Sequence, residues 1–435
     1  MGSVVTPQTA ASPLNVGATG TLDRRGLSRS PDMEQDMTAR RRAVLALAAA
    51  VATVAAVAPA QAQDLLSKIE VHGYGGWSFG RTMDNVSSNF FLFAHARGDY
   101  FHNEFALNLT APLTDRVTII AQPFWHSGHH ANQTSSGMDY VFGEYKWSDA
   151  LRLRVGNVKQ PFGIYTEVFD VGTLRPFAAL SQAVYGPSGM IGKSYSGIGL
   201  TGTLFTQHAL SVDYDLYGGG LETLEDDTPL QVLAAGSASN VLPTRTFRDV
   251  GGGRVIFRTP IDGLSFGSSA FTGTRPLTKA GVLGEWRRSV IGAHAELVND
   301  AWWLRAEYAN EAEQGAYRSQ GGYGEGAYFL TDHWQLAGTY GRHYVDPTVT
   351  YITAANQALG ASLLDHVETG VGLNYWLTRN FVVKTSYHHV TGNRFSHPDP
   401  NPVSATVPSK LQTITLGNTL MKTTDAVLVS GHVSF

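Results

Sequence analysis

ALRLRVGNVKQPFGIYTEVFDVGTLRPFAALSQAVYGPSGMIGKSYSGIGLTGTL, residues 150–204, is the stretch that decides the fold. Its start alternates between apolar and polar positions, which is the period-two pattern of a strand with two unlike faces. The alternating positions are Leu151, Leu153 and Val155 against Arg152, Arg154 and Gly156. A second strand is predicted over 194–204, and the residues between the two strands contain three prolines, several aromatics and no sustained helical period. A loop of this length argues against a compact domain unless the loop is functional.

Strands on both sides of this stretch follow a rhythm in which every second connection is very short. Short turns at one rim and longer polar loops at the other are typical of a bacterial outer-membrane barrel. An even number of strands places both chain ends at the short-turn rim. The sixteen predicted strands are 67–80, 99–112, 116–127, 138–148, 150–158, 194–204, 208–217, 250–259, 264–273, 285–298, 301–311, 317–330, 333–345, 364–377, 380–391 and 424–435.

The last predicted strand ends on an aromatic residue, Phe435. Alternating apolar positions precede it, which are Val427, Val429, Gly431 and Val433. A strand of this kind at the end of the chain resembles the C-terminal signal of bacterial outer-membrane proteins. That resemblance implies insertion by the outer-membrane assembly machinery, with Phe435 as the assembly signal.

The N-terminal region is predicted to lie outside the working fold. Three arginines, Arg40 to Arg42, precede an apolar run over 43–58 and the small-x-small sequence that ends at Ala62. These are the parts of a secretory signal, so we assign 39–62 to a signal peptide cleaved near Ala62. The alternative is a membrane anchor, for which the run is shorter than the roughly 20 residues that a spanning helix needs. Residues 1–38 are polar and predicted to be disordered, and a misassigned translation start would explain their presence. Residues 63–435 are predicted to form the barrel.

The faces of the predicted strands support a membrane barrel. In strand 364–377 the apolar positions are Val367, Val371 and Leu373, and the opposite positions are His366, Glu368 and Asn374. A soluble sheet with one wet face explains any single strand equally well. The pattern recurs in sixteen strands that follow an export signal. This favours a barrel whose apolar outer face contacts lipid and whose polar inner face contacts water.

Composition excludes two classes of protein. The chain has no cysteine although it carries an export signal, so disulfides do not stabilise it. A net charge of −4 is too small to indicate nucleic-acid binding, and no basic cluster alternates with aromatics.

The third long loop is predicted to fold into the barrel and narrow its channel. Sixteen strands enclose a water-filled lumen rather than a core of side chains. An external loop is usually polar, whereas this one carries large apolar groups that need a wall to pack against, and prolines that stiffen it. The predicted packing residues are Pro161, Phe162, Gly163, Tyr165, Phe177 and Tyr185.

The run GNVKQPFG, followed by LRPF and QAVYG, resembles the G-x-x-K-x-P-F-G region of the phosphate-selective porin O/P-like family. The resemblance covers residues 150–200 closely and the rest of 63–435 loosely. It implies a homotrimeric sixteen-stranded porin in the outer membrane that passes small hydrophilic or anionic solutes. Phosphate-selective members use arginine ladders and a lysine cluster; this chain has no dense lysine cluster and carries many carboxylates on the same faces, so we expect only a weak anion preference. The candidate anion-binding residues are Arg152, Arg154, Lys159, Arg175, Arg254 and Arg258.

The sequence offers weaker signals for three other functions. His126, His129 and His130 are close in sequence, but no carboxylate is adjacent, so no metal site and no cofactor are predicted. No motif marks a catalytic nucleophile, so an outer-membrane enzyme is not expected. An adhesin or structural barrel remains the main alternative, with loops 218–249 and 392–423 as its binding parts.

Overall fold

A computed structural model shows a closed antiparallel barrel of sixteen strands within the compact unit Leu65–Phe435. It describes residues 67–83, 87–88, 94, 98–128, 134–206, 209–225, 246–279, 282–314, 317–346, 348, 361–398, 411–413 and 419–435. The predicted N-terminal extension and signal peptide lie outside these residues. The barrel strands are β1 (Glu70–Thr82), β2 (Asp99–Pro112), β3 (Val117–Gly128), β4 (Thr134–Ser148), β5 (Leu151–Lys159), β6 (Ser188–Leu204), β7 (Ser211–Glu225), β8 (Thr246–Arg258), β9 (Leu264–Lys279), β10 (Val282–Val298), β11 (Trp302–Glu313), β12 (Tyr317–Phe329), β13 (Trp334–Val345), β14 (Asp365–Thr378), β15 (Phe381–Thr391) and β16 (Thr423–Ser434).

The predicted sixteen-strand antiparallel barrel is confirmed, since each of the sixteen predicted strands is present and pairs with its sequence neighbours. Several strands extend further at the long-loop rim than the alternation predicts. β4 begins at Thr134, β6 begins at Ser188 and β7 continues to Glu225. These added residues are largely small or polar, so the sequence pattern predicts a loop for them. Backbone hydrogen bonds between strands do not depend on that side-chain pattern, and β7 still pairs with β8 at Glu222 and Thr246.

Three of the short turns at the opposite rim share one local contact. The side-chain oxygen of the first turn residue accepts a hydrogen bond from the backbone N–H three residues later. Thr114 accepts from Val117 (3.0 Å), Asn299 from Trp302 (2.8 Å) and Thr331 from Trp334 (3.0 Å). Short polar residues at these positions therefore fix where each strand reverses.

Each strand has one exposed apolar face and one buried polar face. On the apolar face, Ile291, Leu336 and Val371 are more than half exposed. On the polar face, Glu307, His343, Glu368 and Lys384 are buried. This arrangement is the reverse of a soluble protein and matches the lipid-facing and lumen-facing sides of a transmembrane barrel.

Smaller elements lie between the barrel strands. Residues Ser87–Ser88 pair with His397–Pro398, and Leu411–Thr413 pair with Thr419–Met421. Short helical turns span Thr166–Val168, Gly172–Leu174, Gln182–Tyr185 and Ala361–Leu364. Among the described residues, no helix is both long and apolar enough to cross a membrane.

β1 and β16 close the barrel, and Phe435 completes their ladder. The backbone N–H of Gly73 donates to the carbonyl of Phe435, and the N–H of Phe435 donates to the carbonyl of Gly73, both at 2.9 Å. The Phe435 ring lies over Gly73, where a Cβ atom would come within 2.4 Å of it, and stacks on Phe105 at 6.4 Å. The terminal residue therefore contributes both backbone pairing and ring packing at the seam.

We predict that deleting Phe435 destabilises the barrel more than Phe435→Ala does. The alanine variant keeps the two backbone hydrogen bonds and loses the packing of a half-exposed ring, about 1 kcal/mol. Deletion also removes the two hydrogen bonds, each worth about 1 kcal/mol. Urea titrations of the refolded barrel in lipid measure both losses, and equal losses would contradict a pairing role for the terminal backbone.

Candidate functional site

The 160–187 segment, which connects β5 to β6, is the longest fully described connection and is mostly buried. It folds through two 3-10 turns and a single α-helical turn, Gln182–Tyr185. Each residue that the sequence assigns to packing is buried, namely Pro161, Phe162, Gly163, Tyr165, Phe177 and Tyr185.

Polar-face side chains of β7 and β8 bind this segment, and so do those of seven further strands. The Tyr217 hydroxyl accepts from Gln160 (2.6 Å), and Arg254 donates to Gly163 O (3.3 Å). The seven further strands are β9 and β11 to β16, which are distant from the segment in sequence. Six of the seven contacts reach backbone atoms or the Tyr165 hydroxyl, and the seventh joins two hydroxyls. The contacts join Ser269 to Gly163 N (3.0 Å), Glu307 to Ile164 N (2.8 Å), Glu325 to the Tyr165 hydroxyl, His343 Nδ1 to Ala183 O (3.0 Å), Asn374 to Pro176 O (2.9 Å), Lys384 to Gly172 O (2.6 Å) and Ser434 to the Thr173 hydroxyl (3.1 Å).

Glu307 on β11 is the most heavily bonded of these anchors. Its carboxylate accepts hydrogen bonds from the hydroxyls of Tyr185 and Tyr323, both at 2.5 Å, and from Ile164 N–H. The Tyr185 hydroxyl also accepts from the backbone N–H of Tyr165 at 2.9 Å. A buried carboxylate requires several donors of this kind in place of water. Glu307 therefore joins both ends of the segment to one strand.

Gly163, the glycine of the PFG sequence, is required by this contact. Its φ of +60° is left-handed, which favours glycine. A Cβ atom at this position would lie 2.1 Å from Glu307 Oε1. The motif glycine thus allows the backbone to approach the carboxylate that holds it.

Aromatic packing adds an apolar contact on each side of the segment. The Phe162 ring meets Phe271 of β9 edge to face at 6.0 Å, and Phe177 meets His388 of β15 at 5.6 Å. Tyr185 meets Tyr323 of β12 at 6.1 Å. These three aromatic side chains of the segment are thereby removed from water.

Four of the six predicted cationic residues lie together in one polar cavity of about 340 Å³, beside segment residues Gly163, Ile164 and Glu167. Each of the four is paired with a carboxylate. The pairs are Arg152 with Asp149 (3.4 Å) and Glu144 (4.0 Å), Arg154 with Glu144 (2.9 Å), Arg254 with Asp215 (2.9 Å) and Glu167, and Arg258 with Asp213 (2.6 Å).

The other two predicted cations lie apart from this cavity. Lys159 is buried between Asp139 (2.7 Å) and Asp170 (3.2 Å) beside a second cavity of about 280 Å³. Arg175 is buried and donates to the carbonyl of Phe169 at 2.7 Å. The six residues therefore form one group of four and two separate contacts. Lys159 binds Asp170 of the 160–187 segment from β5, and Arg175 forms its contact within the segment.

Sequence reasoning missed most of the wall residues that hold the segment. The only sequence signal for these residues is their position on the polar face of a strand, and they include Ser269, Glu325, Asn374 and Lys384. Arg305 pairs with Glu296 (2.6 Å) and Glu325 (3.8 Å). The contacts that the four wall residues make with the segment join positions more than 100 residues apart, and the Arg305 pairs depend on the register between neighbouring strands, so no local pattern predicts either kind.

A metal site receives no support from the geometry. Among the described residues, no group of three or more His, Asp or Glu side chains is placed to hold a metal ion. His129 and His130 lie outside the described residues, so the WHSGHH sequence is not tested.

Solved structures similar to this chain are outer-membrane proteins. The outer-membrane channel DcaP of Acinetobacter baumannii aligns with a TM-score of 0.51 and 10% identity over 84% of this chain and 97% of that chain. The anion-selective porin from Comamonas acidovorans aligns at 0.49 and 9% identity, over 85% and 100% of the two chains. OmpT of Vibrio cholerae in its trimer form aligns at 0.49 and 8% identity, over 85% and 99%.

Comparisons of sequence add nothing to this likeness. No protein-family model matches the chain, and no curated protein matches it. At about one-tenth identity the structural likeness shows the fold alone.

A double-mutant cycle tests the contact between Gly163 and Glu307. Gly163→Ala should lower the free energy of unfolding by more than the roughly 1–2 kcal/mol of left-handed strain, because its methyl group also strikes the carboxylate. In a Glu307→Ala background the carboxylate is gone and only the looser contact with the Tyr185 hydroxyl at 2.9 Å remains, so the same substitution should cost less. Urea titration in lipid measures all four proteins, and equal costs in both backgrounds would contradict the contact.

Proposed function

We propose that this protein is an outer-membrane porin through which small hydrophilic solutes diffuse passively. The polar strand faces line the bore, and the 160–187 segment lies across it as the constriction. The single observation that carries this proposal is that a closed sixteen-strand barrel binds the segment through polar-face side chains of many of its strands, among them Ser269, Glu307, His343, Asn374 and Lys384.

Location and assembly follow from the same proposal. The chain reaches the outer membrane after signal cleavage near Ala62, is inserted by the assembly machinery through its terminal Phe435 strand, and contacts lipid with its apolar faces. It assembles as a homotrimer, as its resemblance to the phosphate-selective porin O/P-like family implies. The fold shared with the outer-membrane channel DcaP agrees with this location.

Anion preference is proposed to be weak. The guanidinium groups of Arg152, Arg154, Arg254 and Arg258 all have carboxylate partners within 4.0 Å. A passing anion competes with these fixed carboxylates for the same donors, and the paired charges largely cancel at a distance. Strict phosphate selection needs a net excess of cations, which this cavity lacks.

Planar-bilayer recording tests the channel directly. The purified protein should produce large, discrete conductance steps, since a water-filled bore conducts ions. Replacing residues 164–184 with a short glycine–serine linker should increase the size of each step, because the constriction is removed. An adhesin or enzyme barrel would give no steps, and an unchanged step size in the linker variant would show that the segment lies outside the conducting path.

Reversal potentials under a salt gradient test the paired charges. Glu144→Gln frees Arg154 and should shift selectivity towards anions, whereas Arg152→Ala/Arg154→Ala frees Glu144 and should shift it towards cations. Arg379→Ala, in the exposed two-residue turn between β14 and β15, is the control and should change little. An unchanged reversal potential in the double arginine variant would contradict the anion preference.

A further inference from the structure

A row of three polar side chains crosses the inner face of β8, β9 and β10 near the short-turn rim. Ser265 on β9 lies directly opposite Arg258 of β8 on one side and opposite Glu296 of β10 on the other. All three line the polar cavity of about 340 Å³. Neighbouring strands lie about 4.8 Å apart, so the Cα atoms of Arg258 and Glu296 are roughly 10 Å apart. A cation and an anion therefore lie on either side of a serine.

Small residues form the wall between these two charges. The next inward-facing residue of β9 after Ser265 is Gly267, where a Cβ atom would lie 2.6 Å from Cε1 of the His294 ring. With no bulky side chain between them, both charged groups stay accessible from the cavity. The Arg258 side chain is 59% exposed and that of Glu296 is 27% exposed. The result is a hollow bounded by a guanidinium, a carboxylate and an imidazole.

Each charged group of the hollow has one partner in the wall and one side left open. Arg258 donates to Asp213 through Nε (2.6 Å), and Glu296 accepts from Arg305 through Oε2 (2.6 Å). Among the described residues, the Nη groups of Arg258 and Oε1 of Glu296 have no hydrogen-bond partner. The two Nη groups match the spacing of a carboxylate, and the open carboxylate oxygen can accept a hydrogen bond from an ammonium.

His294 adds a buried polar group that the wall does not satisfy. Its side chain lines the same cavity and is only 8% exposed. Within the ranges that the structure describes, neither of its ring nitrogens has a hydrogen-bond partner, and Nδ1 is fully buried. Burying such a group is costly unless water or a solute hydrogen-bonds to it. The imidazole therefore indicates that the hollow holds a polar species.

The charges of the hollow disfavour a simple ion. Arg258 with Asp213 and Arg305 with Glu296 form two neutral pairs. An added anion therefore meets two carboxylates, and an added cation meets two guanidinium groups. A molecule that carries one carboxylate and one ammonium adds no net charge, and it can place each of its groups beside the opposite charge.

We propose that this hollow binds a small zwitterion, such as an amino acid, as it crosses the channel. The solute carboxylate accepts hydrogen bonds from the Nη groups of Arg258, and the solute ammonium donates to Oε1 of Glu296. The inference rests on the proposed function, in that solutes must reach the bore. It goes beyond a weak anion preference because it names the class of solute and the residues that recognise its two charges.

Three probes of equal chain length separate a zwitterion site from a site for simple ions. γ-Aminobutyrate carries both charges, butyrate lacks the ammonium, and butylamine lacks the carboxylate. A probe bound in the hollow should lower the single-channel conductance in planar bilayers. The half-maximal effect should need about tenfold less γ-aminobutyrate than butyrate or butylamine, the ratio expected from one hydrogen bond between charged groups. An equal or stronger effect of butyrate or of butylamine would overturn the proposal.

Variants at the two ends of the hollow test which residues bind the probe. Glu296→Gln keeps an oxygen that can accept from Arg305, and it should raise the half-effect concentration of γ-aminobutyrate to that of butyrate. Arg258→Gln should raise it to that of butylamine. Arg379→Gln, in the exposed turn between β14 and β15, is the control and should leave all three responses unchanged. An unchanged γ-aminobutyrate response in either hollow variant would overturn the proposal.

Calorimetric titration of the detergent-solubilised protein with the same three probes measures binding without conduction. It should show the tightest binding for γ-aminobutyrate. A protein that gives no conductance steps but binds γ-aminobutyrate tightest would contradict the channel and support the site. Conductance steps together with equal binding of all three probes would contradict the site alone, so the two failures are distinguishable.

Discussion

The closed backbone ladder is the constraint on which the rest of this structure depends. An open sheet leaves a row of unpaired N–H and C=O groups at each edge, and a ladder that closes on itself removes both edges. Here the closure lies between β1 and β16 and extends to the terminal residue, where Phe435 exchanges two hydrogen bonds with Gly73. Since side chains alternate along each strand, a closed ladder automatically separates an outer face from an inner one.

Closure creates a second problem at the polar face, where charged groups are removed from bulk water. The barrel resolves it by pairing arginines with carboxylates on neighbouring strands, as Arg154 pairs with Glu144 and Arg258 with Asp213. Elsewhere, the groups bind the 160–187 segment, as Glu307 and Lys384 do. The same side chains thus satisfy their own hydrogen-bonding needs and position the segment, which links the stability of the wall to the shape of the site.

How much of this the sequence could predict depends on the range of each interaction. Strand number and order follow from alternation and from turn residues such as Asn299 and Thr331, which act within three residues. The packing residues of the segment, such as Phe162 and Tyr185, can be predicted because large apolar side chains in a loop need a surface to pack against. The carboxylate that Tyr185 binds is 122 residues away in sequence, and the pairing of Arg305 with Glu296 and Glu325 rests on register between strands. Strand alternation places these groups on one face but does not say which of them meet.

The way in which the wall holds the segment has a consequence for the sequence of the segment itself. Ser269, Glu307, His343, Asn374 and Lys384 all bind its backbone, through N–H or carbonyl groups that every residue except proline supplies in full. The path of the chain is therefore specified from outside, by side chains on distant strands. Side chains within the segment are constrained in two ways. Some bind the wall themselves, as Tyr165 and Tyr185 do, and at Gly163 the backbone comes too close for a side chain because its Cα faces the Glu307 carboxylate. A short motif with an obligatory glycine is what this mode of attachment requires, and residues that do not touch the wall can change without changing the path of the segment.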